Sequence, residues 1–170
     1  METAYIACGS NIDPEKNILA SLRLLVPEGL RSVSTVYRTE PIGQPGQPFF
    51  YNCVAELSTS RPPFELKYEV LRPIEAALGR RRAGEDRYSA RQADLDLIIY
   101  DALEVRTAEL VLPDPDIYTR AFLALPLLEL APTLVMPDGK SLRELAGSFD
   151  RIGMEELKTY TVMIRKELFG

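Results

Sequence analysis

The order in which two hydrophobic periods follow one another constrains this chain more than any single motif does. Along a strand, side chains change face at every residue; along a helix they return to the same face every 3.6 residues. Ala4-Tyr5-Ile6-Ala7-Cys8 is a short apolar run closed by Gly9-Ser10-Asn11, and it reads as a buried strand. Asp13 precedes Pro14 as a candidate N-cap, and Ile18, Leu22 and Leu25 follow at helical spacing, which predicts an amphipathic helix near residues 14–26. Val33 to Arg38 alternates as a half-buried strand, and Phe50 to Leu57 returns to that pattern. Between them, Glu40 to Pro48 holds three prolines and two glycines in nine residues, so a long loop is expected. Pro62-Pro63 opens a second helix with Leu66, Val70, Ile74 and Leu78 on one face, and Pro73 inside it predicts a lost hydrogen bond or a kink. Asp94 to Tyr100 is a strand again.

Strand, helix, strand, strand, helix, strand is the ferredoxin-like order, in which helices cover one face of an antiparallel sheet. Beyond residue 100 the pattern predicts a short strand near Glu109 to Leu112, a helix near 118–130 and a helix from Leu142 to Ala146; Tyr160 to Ile164 reads as a strand or a tail. No repeat, low-complexity tract or linker divides the chain. We therefore expect residues 1–170 to form a single α+β domain: a ferredoxin-like antiparallel sheet with helices packed on it and extra elements at the C-terminus.

Composition narrows the chemistry. The chain has no histidine, which removes His-based triads, imidazole bases and the usual zinc sites. Its two cysteines, Cys8 and Cys53, each fall in a strand pattern and read as buried free thiols. Any metal must then be a hard ion held by oxygen, Mg²⁺ or Mn²⁺. A net charge of −5 offers no general field for nucleic acid or an anionic membrane, so neither is expected as a partner. No apolar run approaches the roughly 20 residues that span a bilayer. Met1-Glu2-Thr3-Ala4 lacks a basic n-region, so the cytoplasm is the expected location.

Asp94-x-Asp96 is the sharpest local feature. Period two places both carboxylates on one strand face, where they repel unless the face is solvated or a cation lies between them. Taken alone, the pair fits either reading. Immediately before it comes the main cation cluster, Arg80, Arg81, Arg82, Arg87 and Arg91, with Arg120 after a later loop. Arginine forks suit phosphate, and carboxylates for a metal beside arginines for phosphates are the parts of a phosphoryl-transfer site. The same run also fits a solvated loop pairing with Glu85 and Asp86, and a lid over a triphosphate is such a loop when empty. The chain contains no P-loop motif. Phe49-Phe50-Tyr51-Asn52 offers rings and an amide at a strand entrance, suited to a flat heteroaromatic ligand or simply to a core strand.

Six segments in order resemble the hydroxymethyldihydropterin pyrophosphokinases. They are Ala4 to Asn11; Val36 to Gly43; Phe49 to Asn52; Ile74-Glu75-x-x-Leu78-Gly79-Arg80; Arg91-x-x-Asp94-Leu95-Asp96-Leu97; and Arg120-x-Phe122 with Pro126-Leu127-x-Glu129-x-Ala131-Pro132. The match runs from residue 4 to about 145. The resemblance implies transfer of diphosphate from ATP to 6-hydroxymethyl-7,8-dihydropterin, giving AMP, in folate biosynthesis. It implies that Asp94 and Asp96 bind two Mg²⁺ ions and that Arg82 and Arg91 contact phosphates from a catalytic loop over residues 80–91. Tyr88 stands where an aromatic closes over the site. Glu75, Leu97 and Arg120 would fall in the ATP site. Thr39, Pro41, Ile42, Phe50, Asn52 and Phe122 would line the pterin pocket. The resemblance depart at Leu112-Pro113-Asp114-Pro115, where the family usually has Leu-Pro-His-Pro, so that Asp114 takes the place of an ATP-contacting His. The catalytic loop is one residue longer than the commonest form, and the segment beyond about 147 has no counterpart. A monomer or weak homodimer is expected. The alternatives are a non-catalytic nucleotide- or pterin-binding paralogue and an interaction domain without a small-molecule site.

Overall fold

The computed structural model describes residues 1–41, 46–86 and 89–170. Its elements begin with β1 (Glu2–Ser10), α1 (Pro14–Leu25), β2 (Leu30–Val33), β3 (Tyr37–Thr39) and β4 (Phe50–Thr59). A helical segment follows in three parts: α2 (Pro63–Glu65), a π-helical stretch Leu66–Leu71 and α3 (Arg72–Ala77). Then come β5 (Asp94–Tyr100), β6 (Val105–Arg106), β7 (Val111–Leu112), a 3₁₀ turn Pro115–Tyr118, α4 (Ala121–Leu130), α5 (Leu142–Gly147), β8 (Met154–Glu156) and α6 (Lys158–Phe169).

The sheet runs β5-β1-β4-β3-β8, with β2 also pairing β4, and its pairings are antiparallel. That is the ferredoxin-like order, with β8 added outside β3. Alternation then separates two cores. Ile6, Cys8, Leu95 and Leu97 face α1, the helical segment after residue 62 and α6; Ala7, Val54 and Ile98 face α4 and α5. α4 and α5 thus cover the second sheet face with a core of their own, while α6 joins the first.

Four details differ from the sequence pattern. The expected strand at 33–38 divides into β2 and β3, because Ser34 leaves the ladder: its N–H donates to Val54 O (2.9 Å), and its hydroxyl accepts from Val54 N (2.9 Å). Pro73 does not break its helix. The π stretch Leu66–Leu71 lies just before it, a wider winding that absorbs a missing donor. Asp13 precedes α1 in a left-handed conformation (φ 44°) and makes no side-chain cap. Tyr160 to Ile164 is neither strand nor tail. It lies inside α6, where Thr161 and Ile164 are three residues apart on the buried face and override the strand propensity of Thr161 and Val162.

Candidate active site

The paired acids stand at one end of the sheet because β5 lies beside β1. Gly9 is in register with Asp94 on one side and Asn52 on the other, while Ala7 faces Asp96. A Cβ at Gly9 would lie 2.9 Å from Asn52 Oδ1 and 3.9 Å from Asp94 Cβ, so a residue without a side chain leaves room for both. Between Tyr5 and Ile6 the β1–β5 register shifts and leaves Ile98 unpaired on β5. Freed from the ladder, Ile98 O accepts from Asp114 N (2.9 Å), which draws the Asp114 loop onto the strand that carries Asp94 and Asp96.

Two cavities meet at these acids. The first, of about 220 Å³, is lined by Thr39, Phe50, Asn52, Arg91, Arg120 and Phe122, with Asp94, Asp96, Asp114 and Asp116 at its floor. The second, of about 280 Å³, is lined by Lys67, Leu95, Leu97, Leu110 and Val111, and shares Asp96, Asp114 and Asp116 with the first. Asn52 Nδ2 donates to Thr39 Oγ1 (2.7 Å), which turns the amide oxygen toward Gly9. Phe50 and Tyr51 part company as strand neighbours do. Phe50 lines the first cavity, and Tyr51 lies edge-on to Tyr160 with centroids 5.6 Å apart.

Beneath the cavities lies a charged cluster. Arg80, 6% exposed, donates through Nη1 to Glu75 Oε2 (2.7 Å) and Asp94 Oδ1 (3.0 Å), and through Nη2 to Glu85 Oε1 (2.7 Å). Arg82 donates to Glu75 Oε1 (2.6 Å), and Arg91 Nη1 to Asp94 Oδ2 (2.9 Å). Leu95 N donates to Glu75 Oε2 (2.9 Å), so this one buried carboxylate holds the start of β5 and two arginines together. Asn11 clamps the end of the arginine loop: its Oδ1 accepts from Arg91 N (2.7 Å), and its own N donates to Arg91 O (3.0 Å).

The acids differ in how well they are compensated. Desolvation among the surrounding protein atoms pushes Asp96 above the usual carboxylate range, and the charges of Asp94 and Asp114 push it further, while its side chain still meets solvent in the open cavity. Burial also raises Asp114, while the Asp116 N–H that it accepts (2.9 Å) pulls it back. Burial lifts Glu75 to about 7, against the Leu95 N–H and the charge of Arg80. Arg80 itself is held firmly protonated: burial opposes its charge, but Glu85, Asp94 and Glu75 outweigh burial. We read the Glu75–Arg80 pair as ionic, because the described groups bonded to the carboxylate are all donors.

Of the residues expected from sequence, Thr39, Phe50, Asn52, Arg91, Asp94, Asp96, Asp114, Arg120 and Phe122 converge on the first cavity, and Leu97 lies in the second. Glu75 and Arg82 line neither cavity and are tied to each other beside it. Pro41 is half-buried next to Glu40, which does line the first cavity. Ile42 and Tyr88 lie outside the described residues, as does Arg87. Sequence reasoning missed Lys67, Asp116 and the Asn11 clamp. Lys67 looks like an ordinary polar helix position, and Asn11 belongs to a Gly-Ser-Asn turn too short to interpret alone.

Five carboxylates (Glu40, Asp94, Asp96, Asp114 and Asp116) face two arginines in the first cavity, an excess that suits a cation. Among the described residues no group of three or more acids, cysteines or histidines is arranged to enclose a metal. Two strand carboxylates completed by ligand oxygens are what Mg²⁺ requires, so the donor set fits that ion when it arrives with a polyphosphate.

Paired acids and arginines beside two cavities that share three carboxylates fit a transferase of the kinase class. The chain belongs to the 7,8-dihydro-6-hydroxymethylpterin-pyrophosphokinase (HPPK) family, whose model matches residues 5–132. It is 38% identical over 162 residues to the 2-amino-4-hydroxy-6-hydroxymethyldihydropteridine pyrophosphokinase of Methylorubrum extorquens, covering 93% of this chain and 100% of that protein. It is 40% identical over 131 residues to the Bacillus subtilis protein of the same name, covering 75% and 77%. In three dimensions it resembles Plasmodium falciparum HPPK-DHPS, wild type with SDX-DHP, with a TM-score of 0.66, 12% identity and 92% of this chain covered. The chain spans 47% of that structure's length, and a likeness at this identity shows the fold alone. No described helix is long and apolar enough to cross a membrane.

Proposed function

We propose that this chain transfers the diphosphoryl group of ATP to the hydroxymethyl oxygen of 6-hydroxymethyl-7,8-dihydropterin, giving AMP and the pterin diphosphate, as a step of folate biosynthesis. The observation that carries this is the meeting of the two cavities at Asp96, Asp114 and Asp116. A transfer between two substrates needs two compartments whose reactive ends touch, with charge neutralisation at the junction. The first cavity suits a flat ring: Phe50 and Phe122 supply apolar faces, and Asn52, oriented by Thr39, presents its amide oxygen as an acceptor for ring N–H groups. By the family resemblance, Pro41 and Ile42 would contact the pterin. The second cavity, with Lys67 among apolar residues, takes the nucleotide.

Asp94 and Asp96 would hold Mg²⁺, two ions in this reading, and the metal would supply positive charge to the phosphates and the attacking hydroxyl. Arg91 and Arg120, both lining the first cavity, bind phosphate oxygens as the nucleotide arrives, and Arg91 then gives up its bond to Asp94. Arg82 joins them by exchanging Glu75 for phosphate, and by the family resemblance Tyr88 would contact the nucleotide. Glu75 acts from below, holding Leu95 and Arg80 so that Asp94 is aimed at the junction. No general base is required, because positioning and charge neutralisation carry phosphoryl transfer. Asp114 caps the 3₁₀ turn by accepting from Asp116 N, a structural task compatible with turnover. We take the whole chain as one catalytic unit, a monomer or weak homodimer in the cytoplasm.

Incubation with Mg²⁺, ATP and the pterin should release AMP only when the pterin is present. ADP in place of AMP would indicate transfer of a single phosphoryl group. Binding of Mg-ATP without turnover would favour a paralogue that binds but does not catalyse.

A further inference from the structure

Residues 151–170 lie beyond the segment that the family model matches, and none of them lines the first cavity. They nonetheless hold the strand that does. At three residues, β3 is too short to fix its own place, yet Thr39 at its end lines the cavity and orients Asn52. On its outer edge β8 pairs with it, Tyr37 to Glu156, Arg38 to Glu155 and Thr39 to Met154. The linker before it is tied by α6 and by the residue that leads into it. Leu157 N donates to Val36 O (2.9 Å), and Val36 N donates to Thr161 Oγ1 (2.9 Å). Arg165 donates through Nε and Nη2 to Val33 O (3.1 and 2.9 Å) and through Nη2 to Glu129 Oε1 (2.8 Å). Glu129 in turn accepts from Thr35 N (3.0 Å) and Thr35 Oγ1 (3.1 Å). Thr161 is 3% exposed and Ile164 fully buried, so α6 is fixed firmly enough to act as a support.

We infer that Thr161 and Arg165 are positioning residues for the first cavity: by locking Val33 to Val36 they set β3, and through Thr39 the amide of Asn52. The assignment of the pterin to this cavity rests on the function proposed above; the brace itself does not. A buried N–H left without an acceptor is costly, so the linker should move when its partner is removed.

The test uses the full chain with Thr161→Val, which keeps the side-chain shape and removes the acceptor of Val36 N. The pterin KM should rise about fivefold, while the Mg-ATP dissociation constant stays unchanged. Thr161→Ser should restore the wild-type KM. Leu145→Ala, a core truncation on α5 away from the brace, should lower the melting temperature without this selective rise. Hydrogen exchange at Tyr37 to Thr39 should be faster in Thr161→Val than in the wild type. Equal exchange in the two would overturn the brace. Faster exchange with an unchanged pterin KM would overturn its link to the cavity. A wild-type chain that makes no AMP with the pterin would sink the proposed function, and with it the substrate half of this inference, while the exchange result still decides the brace.

Discussion

Asp94 and Asp96 lie two residues apart on one face of one strand, and the protein treats them oppositely. Asp94 has an arginine on each oxygen, Arg80 at 3.0 Å and Arg91 at 2.9 Å. Asp96 makes no ion pair among the described residues; desolvation by the protein around it and the charges of Asp94, Asp114 and Glu75 raise its pKa, though its side chain is open to solvent. A carboxylate neutralised from within stabilises the fold; one left uncompensated stores repulsion that a cation relieves. Under the function proposed above, Asp94 serves the fold and Asp96 is the acid left for a ligand.

The paired side breaks most severely. Arg80→Ala strips the shared arginine from Glu75, Asp94 and Glu85, leaving Arg82 on Glu75 and Arg91 on Asp94, and losing that buried partner should cost about 3 kcal/mol in urea unfolding. A loss below about 1 kcal/mol would mean that the cluster is solvated after all.

Asp96→Asn should do the reverse. AMP formation should fall by about 10²–10³-fold as the metal loses a ligand. The ligand-free protein should gain stability, held to about 1 kcal/mol or less by solvent screening at the open end of the cavity. Retained turnover would remove Asp96 from the metal site.

The pH dependence sharpens the contrast. Asp96 and Asp114 have folded pKa values raised above their unfolded values, so the folded state binds more protons in the acid range. Their favourable contribution is complete below the unfolded carboxylate pKa, about 4, and is lost as pH rises through the folded values. The stability gap between Asp96→Asn and the wild type should therefore widen from pH 4 toward neutrality; a gap independent of pH would contradict the raised pKa.

The smallest effect is expected at Asp114. Asn retains the acceptor for Asp116 N and removes one negative charge from the junction. Mg-ATP should bind about threefold more tightly by calorimetry. Weaker binding would instead make Asp114 a partner of the bound cation.

Much of the site was legible because strand periodicity is local. Asp-x-Asp on an apolar strand specifies two carboxylates on one face, and the order of periods specifies which strands flank it. Thr39, Asn52 and Phe122 could be named from the resemblance, and the fold brings them into one cavity with the acids. The destinations of the arginines were not legible. Arg80, Arg82 and Arg91 look alike in a polar run, yet Arg80 is buried while the Arg82 side chain is 41% exposed. That difference depends on Glu75, which reaches the loop only once its helix has packed beneath β5.

By itself the sequence determined the element order through residue 100, the ferredoxin-like sheet and the paired acids, since these follow from contacts within a few residues or from repeating periods. The tertiary structure alone decided which acid is neutralised, where the two cavities join and that the last twenty residues brace β3. Those outcomes depend on pairings such as Thr161 with Val36 and Arg165 with Glu129, between segments far apart in the chain whose meeting no local pattern records.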